Sequence, residues 1–233
     1  LLFINNGKGR FTESSMILGA GFNANGLAEA GMGVDVGDIN RNGLLDIFVT
    51  NYSGETNTLY LNQGHGLFLD ETDFKGLGRP SFHFLAFGTI FVDLNLDGWL
   101  DLYVGNGHVI DNINLFNNQY SHRQHDQIYM NKSGTFIDQT KLIGLDLQDK
   151  FVTRGVARAD IDNDGDIDFI ISNNNDEASL LINEGVPQNN WIGFCLKGVE
   201  ANRQAIGSKI KIHTNSGSQV SYVNPSGSYL SSN

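Results

Sequence analysis

The sequence predicts an all-β chain: part of a β-propeller, followed by a small, truncated β domain. Three observations carry that expectation. First, three short runs rich in β-branched and aromatic residues, LLDIFVTN, WLDLYVGN and DIDFIISN, each follow an acidic turn and read as strands. Second, two independent markers repeat with one uneven period. The acidic turns begin at Asp38, Asp93 and Asp160, 55 and 67 residues apart, and Phe11, Phe68 and Phe136 are 57 and 68 residues apart. A unit of about 60 residues built from strand and turn fits a four-stranded propeller blade. Third, 28 Gly, only 3 Pro and few helix-period stretches favour strands joined by turns.

The units follow in order. Residues 1–33 read as a partial blade that carries a hairpin motif, LFINNGKGRF from Leu2. The motif returns as LYLNQGHGLFLDET from Leu59, IYMNKSGTFIDQT from Ile128 and a shortened LLINEG from Leu180. Three loop-bearing repeats therefore run to residue 186. From the last turn aspartate to the next hairpin strand is 13 residues in the first repeat and 12 in the third, but 27 in the second, so an insertion of about 14 residues lies within Gly105–Gln127. Residues 187–233 read as a separate small domain. In it, Trp191–Leu196 alternates, which predicts a strand with Ile192, Phe194 and Leu196 facing a core and Cys195 on the other side.

The three turns are candidate metal loops. DINRNGLLD, DLNLDGWLD and DIDNDGDID each place oxygen side chains at positions 1, 3, 5 and 9 and glycine at position 6. Hard cations take such rings of oxygens, and glycine lets the backbone turn around the ion. The ligands would be Asp38, Asn40, Asn42 and Asp46 with the Leu44 carbonyl; Asp93, Asn95, Asp97 and Asp101 with the Trp99 carbonyl; and Asp160, Asp162, Asp164 and Asp168 with the Asp166 carbonyl. These are not EF-hands, because position 12 is Val49, Val104 or Ile171 rather than Glu, and strands rather than helices follow. Asp/Asn/Gly turns also connect strands without any metal. Charge favours the metal reading: carboxylate side chains at the ligand positions number two, three and four along the chain, and they would repel one another without a counter-ion. About three calcium ions are expected, with affinity falling from the third loop to the second to the first.

Composition excludes several classes. A net charge of −11 and a pI near 4.8 oppose nucleic-acid binding. The most apolar run, Phe84–Val92, is too short to span a membrane. The single cysteine, Cys195, cannot form an internal disulfide. The chain opens on Leu1 inside what reads as a strand, so the lack of a leader carries no weight. GMGVDVGD lacks the Lys-Ser/Thr end of a phosphate loop, and no nucleophile arrangement stands out, so no catalytic residue and no organic cofactor is expected. His122 and His125 could pair on a transition metal, but a polar surface loop is the plainer reading. His108 is expected to make a structural hydrogen bond. Trp99, Phe91 and Tyr103 are expected to pack between blades.

Five stretches carry a more specific resemblance: GMGVDVGDINRNGLLDIFVTN, YSGETNTLYLNQGHGLF, AFGTIFVDLNLDGWLDLYVGNGHV, RGVARADIDNDGDIDFIISNNN and NNWIGFCLKGVEANRQAIGSKIKI. Together with the closing SGSYLSSN they resemble the FG-GAP/VCBS-repeat proteins that end in an ASPIC/UnbV domain, the group that includes the cartilage acidic proteins. The resemblance implies calcium at the positions named. It also implies a longer parent protein, since such propellers commonly have seven blades. The expected function is a secreted, extracellular or periplasmic scaffold for adhesion or binding. The alternatives are a calcium-dependent carbohydrate-binding lectin and a non-catalytic subunit of a secreted enzyme complex. The expected partner is a protein or glycan ligand.

Overall fold

The computed structural model describes residues 1–144, 148–185, 189–200, 202–215 and 217–232. Strands β1 (Phe3–Asn5) and β2 (Phe11–Glu13) pair as a short exposed hairpin. Strands β3 (Val34–Gly37), β4 (Asp46–Val49), β5 (Thr58–Gly64) and β6 (Leu67–Asp70) form a four-stranded antiparallel meander. Strands β7 (Ala86–Val92), β8 (Asp101–Asn106), β9 (Gln127–Asn131) and β10 (Phe136–Asp138) form a second. Strands β11 (Thr153–Ala159), β12 (Asp168–Asn173) and β13 (Ser179–Leu181) form a three-stranded third sheet. Two short pairs follow, β14 (Lys209–Thr214) with β15 (Gly217–Tyr222) and β16 (Ser226–Gly227) with β17 (Ser231–Ser232). This is an all-β, partial propeller-like fold.

The first strands of the three sheets, β3, β7 and β11, lie side by side. Asp35 Oδ2 accepts the Phe91 N–H at 2.7 Å, and the Arg158 guanidinium donates to the Phe91 carbonyl, so polar contacts stitch these strands where no ladder joins them. The approach is close: a Cβ at Gly33 would stand 1.9 Å from the Phe87 carbonyl oxygen. Only glycine leaves room there.

Alternation along the middle sheet builds two cores. Phe91, Leu102, Val104 and Tyr129 meet Phe48, Leu59 and Leu61 of the first sheet and Ile39 of the turn that joins β3 to β4. Their neighbours Ile90, Val92, Tyr103 and Ile128 meet Val156, Phe169 and Ile171 of the third. A strand places successive side chains on opposite faces, and here both faces are covered. That is why the apolar run before Leu94 becomes β7, buried at every residue. Phe48 and Phe91 close the first core edge to face, ring centroids 6.0 Å apart.

The insertion lies between β8 and β9, as the spacing predicts. It is more than a surface loop, because His108, Ile113, Gln124 and Asp126 within it are buried. One expectation fails. Trp191–Leu196 forms no strand, and Ile192 and Phe194 are 64% and 48% exposed. Alternation makes a strand only where another strand accepts its hydrogen bonds, and none among the described residues pairs with this segment. The boundary placed at 186/187 lies outside the described residues. The last described residues instead reach back to the inner strands: the Thr89 N–H donates to Ser228 Oγ at 3.0 Å, and the Tyr229 ring lies 4.9 Å from Phe87. No helix among the described residues is long and apolar enough to cross a membrane.

Candidate metal centre

The three acidic loops join β3 to β4, β7 to β8 and β11 to β12, all at one end of the sheets. They share one wiring. The position-1 carboxylates gather backbone N–H groups across the turn: Asp38 from Asn42 and Gly43 (2.9 and 2.8 Å), Asp93 from Asp97 and Gly98 (3.1 and 2.7 Å), Asp160 from Gly165 (3.2 Å). Position 5 accepts from position 7 in each loop, through Asn42, Asp97 and Asp164. The backbone is left-handed at position 4 (φ 58° at Arg41, 56° at Leu96, 64° at Asn163) and again at the glycines Gly43, Gly98 and Gly165. A side chain at position 4 tolerates that conformation because the ring of hydrogen bonds around it holds the turn.

Position 9 anchors each loop to its sheet. Asp46, Asp101 and Asp168 are fully buried. Each accepts one N–H from position 2 of its loop and one from an asparagine of the third strand or just after it. The pairs are Ile39 and Asn62 (3.1 and 2.8 Å), Leu94 and Asn131 (3.1 and 2.7 Å), and Ile161 and Asn183 (2.7 and 2.9 Å). Those asparagines are functional residues that sequence reasoning missed, although they end the recurring YLN, YMN and LIN. Two of them also reach the preceding loop. Asn131 Nδ2 donates to the Ile39 carbonyl at 2.9 Å, and Asn183 Nδ2 to the Leu94 carbonyl at 2.9 Å.

The residues fit a hard cation best in the third loop. Ligand oxygens of Asp160, Asp162 and Asp168 lie within 4.8 Å of one another. Asp160 Oδ1 and Asp166 Oδ1 are buried with no hydrogen-bond partner. Asp166 was expected to offer only its carbonyl, yet its side chain is buried too. Burial, followed by the charges of Asp164 and Asp168, pushes its carboxyl up to about 6. Burial likewise raises Asp46 and Asp93 to about 6 and Asp101 to about 7. Burial outweighs the hydrogen bonds and the distant cations that act on these carboxylates, and a divalent cation would supply the stronger counter-charge. In the first two loops Asp38, Asn40, Asn42 and Asp46, and Asp93, Asn95, Asp97 and Asp101, take the same turn positions. There the position-1 carboxylate has both oxygens engaged.

The glycine of each loop is covered from outside. Lys209 Nζ donates to the Gly43 carbonyl at 3.3 Å, Arg41 to the Gly98 carbonyl at 2.9 Å, and the Trp191 ring lies directly against Gly165. Trp99 is half-buried, with the Arg41 guanidinium 4.1 Å from its ring centroid, while Phe91 and Tyr103 are core residues as expected.

The opposite end of the middle sheet is built differently. Buried Asp126 accepts from the Tyr103 hydroxyl, from Thr153 Oγ1 at 3.1 Å and from the Asn106 N–H at 2.7 Å, and burial raises it to about 6. His108 Nδ1 accepts the Ile110 N–H at 3.0 Å, so in the neutral ring Nε2 carries the proton and is not a metal donor. His125 packs edge-on against Phe84, and the His122 and His125 pair joins no three-ligand cluster among the described residues.

Repeated acidic loops on propeller-like blades define a class of repeat scaffold, and comparison with known families specifies it. The chain carries FG-GAP-like repeats over residues 1–49 and 38–104 and an ASPIC and UnbV segment over residues 198–233. Cartilage acidic protein 1 from Mus musculus is 40% identical over 77 residues, which are 33% of this chain and 12% of that protein. A solved structure of an Agrocybe aegerita lectin, described for specific recognition of non-reducing terminal N-acetylglucosamine, is 20% identical. It covers 99% of this chain and 59% of its own, with a TM-score of 0.43. The third loop-bearing repeat lies outside the matched repeat residues, and its kinship with the first two rests on the wiring described above.

Proposed function

We propose that the chain is a calcium-binding, extracellular β-propeller scaffold that acts as a non-catalytic adhesion or binding module. The observation that carries this reading is the third loop, where three carboxylates converge and two buried oxygens have no partner. The same wiring in the other two loops extends the reading to about three ions. Each ion would close a turn between strands and cancel part of the −11 charge, so that rigid blades present variable loops to a protein or glycan partner. Loops of this kind, without a bidentate glutamate, suit the millimolar calcium found outside cells. Direct contact of calcium with a sugar is the second form of the same proposal and needs an open coordination position.

Calcium titration followed by unfolding with and without chelator tests the reading. A ligand that binds only the folded state stabilises it by about 2.7 kcal/mol at 100 times its Kd. Bound calcium near three per chain and a chelator-sensitive midpoint are expected. No bound calcium and an unchanged midpoint would reduce the loops to plain Asx turns.

A further inference from the structure

The first two loops are tied by a side chain that the second junction, between the second and third loops, lacks. Arg41 occupies position 4 of the first loop, between the expected ligands Asn40 and Asn42. Its left-handed backbone, φ 58°, sends the guanidinium across to the second loop. There Nε donates to the Gly98 carbonyl and Nη2 to the Asp97 carbonyl, both at 2.9 Å, and the guanidinium stacks 4.1 Å from the Trp99 ring centroid. One side chain thus holds positions 5, 6 and 7 of its neighbour. Two of those positions, Asp97 and Trp99, are expected ligands. At the next junction position 4 is Leu96, which has nothing to donate. Contact there falls to Asn183 on the Leu94 carbonyl and Asn189 on the Asn95 carbonyl at 2.8 Å.

We propose that Arg41 is a positioning residue of the second metal loop, supplied by the first, and that it couples cation occupancy of the two. The proposal rests on the calcium reading above. A cation in the first loop would fix the side chains on either side of Arg41 and so restrict the backbone that aims it. Less freedom is then lost when the guanidinium clamps the second loop, and that loop binds its cation more tightly. Linkage requires the reverse effect to be equal. A pure charge effect has the opposite sign, because a guanidinium beside Asp93 repels a second cation. Lysine keeps the charge but loses the planar fork, so it separates the two.

The chain has two tryptophans, Trp99 in the second loop and Trp191 against Gly165 of the third. Terbium, a luminescent stand-in for calcium, is sensitised by a nearby indole, so in a Trp191→Phe background the signal reports the two loops beside Trp99, and the part lost on Asp93→Asn is that of the second loop. Terbium affinity would be measured there for Arg41, Arg41→Lys and Arg41→Met, each with Asp38 intact and with Asp38→Asn. Expected is a loss of about fivefold or more on Asp38→Asn when Arg41 is present. In the lysine and methionine variants, already weaker themselves, Asp38→Asn should cost little more. A tighter Arg41→Met protein, or the same Asp38→Asn effect in all three backgrounds, would overturn the coupling while leaving the metal reading intact. No sensitised luminescence in any variant, with Asp93→Asn indistinguishable from its parent, would remove the metal reading and the coupling with it.

Discussion

The middle sheet buries one carboxylate at each end, and the two are held by different means. Asp101, at the loop end, receives two backbone N–H groups, from Leu94 and Asn131. Asp126, at the other end, receives a phenol, a hydroxyl and a single backbone N–H. The first arrangement occurs three times, at Asp46, Asp101 and Asp168. The second depends on side chains from the insertion and from β8 and β11, and belongs to this sheet among those described. Backbone donors are available to any sequence that adopts the turn, so the loop end can be copied. The insertion end needs its own particular residues.

The largest effect expected from this contrast is at position 9. Asp168→Ala removes two hydrogen bonds to a buried carboxylate and leaves two N–H groups unpaired, which should cost about 3–5 kcal/mol in denaturant unfolding. Asp101→Ala should cost a similar amount, and a loss below about 1 kcal/mol at either position would contradict the anchoring role. Next comes chelation. Hydrogen exchange should quicken at residues 38–46, 93–101 and 160–168, with about 2–3 kcal/mol lost per ion at 100 times its Kd. Residues 106–126 should stay unchanged, and equal loosening there would show that the two ends are not independent.

An effect of about 3 kcal/mol, comparable to that of one ion, is expected from pH at Asp126. Its pKa is raised from 3.8 in the reference state to about 6 in the fold, so the folded chain holds this proton where the unfolded chain has released it. The contribution is therefore complete below pH about 4 and fades as pH rises through about 6. Unfolding midpoints across that window should fall less steeply in Asp126→Asn than in the parent; parallel profiles would remove Asp126 as their source. The smallest effect is at the rim of the insertion. Arg123 and Asp176 form an exposed ion pair at 2.6 Å, and a double-mutant cycle should give about 0.5 kcal/mol or less.

The same contrast explains what could be read from the residues alone. Asp, Asn and Gly at fixed offsets followed by β-branched runs determine local turns and strands, so the loops, β4, β8 and β12 were all legible. The insertion was legible as an excess of length. Its content was not, because burial of His108 and Asp126 depends on what β8 and β11 bring beside them. Nothing in the sequence marks out Arg41, because its reach to Trp99 exists only once two sheets are packed. The alternation in Trp191–Leu196 misled for the converse reason: periodicity describes one strand, whereas a strand exists only with a neighbour.

The asparagines at 131 and 183 have a consequence for how such a chain can grow. Each sits at or just beyond the third strand of its own sheet, yet its amide fastens onto the loop of the sheet before it. The fastening is therefore inherited with the repeat that uses it. A tandem duplication of one unit delivers both a fresh loop carbonyl for the next unit to grip and an amide that grips the unit behind. Lengthening the array needs no matched change elsewhere, so blade number can drift while each joint stays intact.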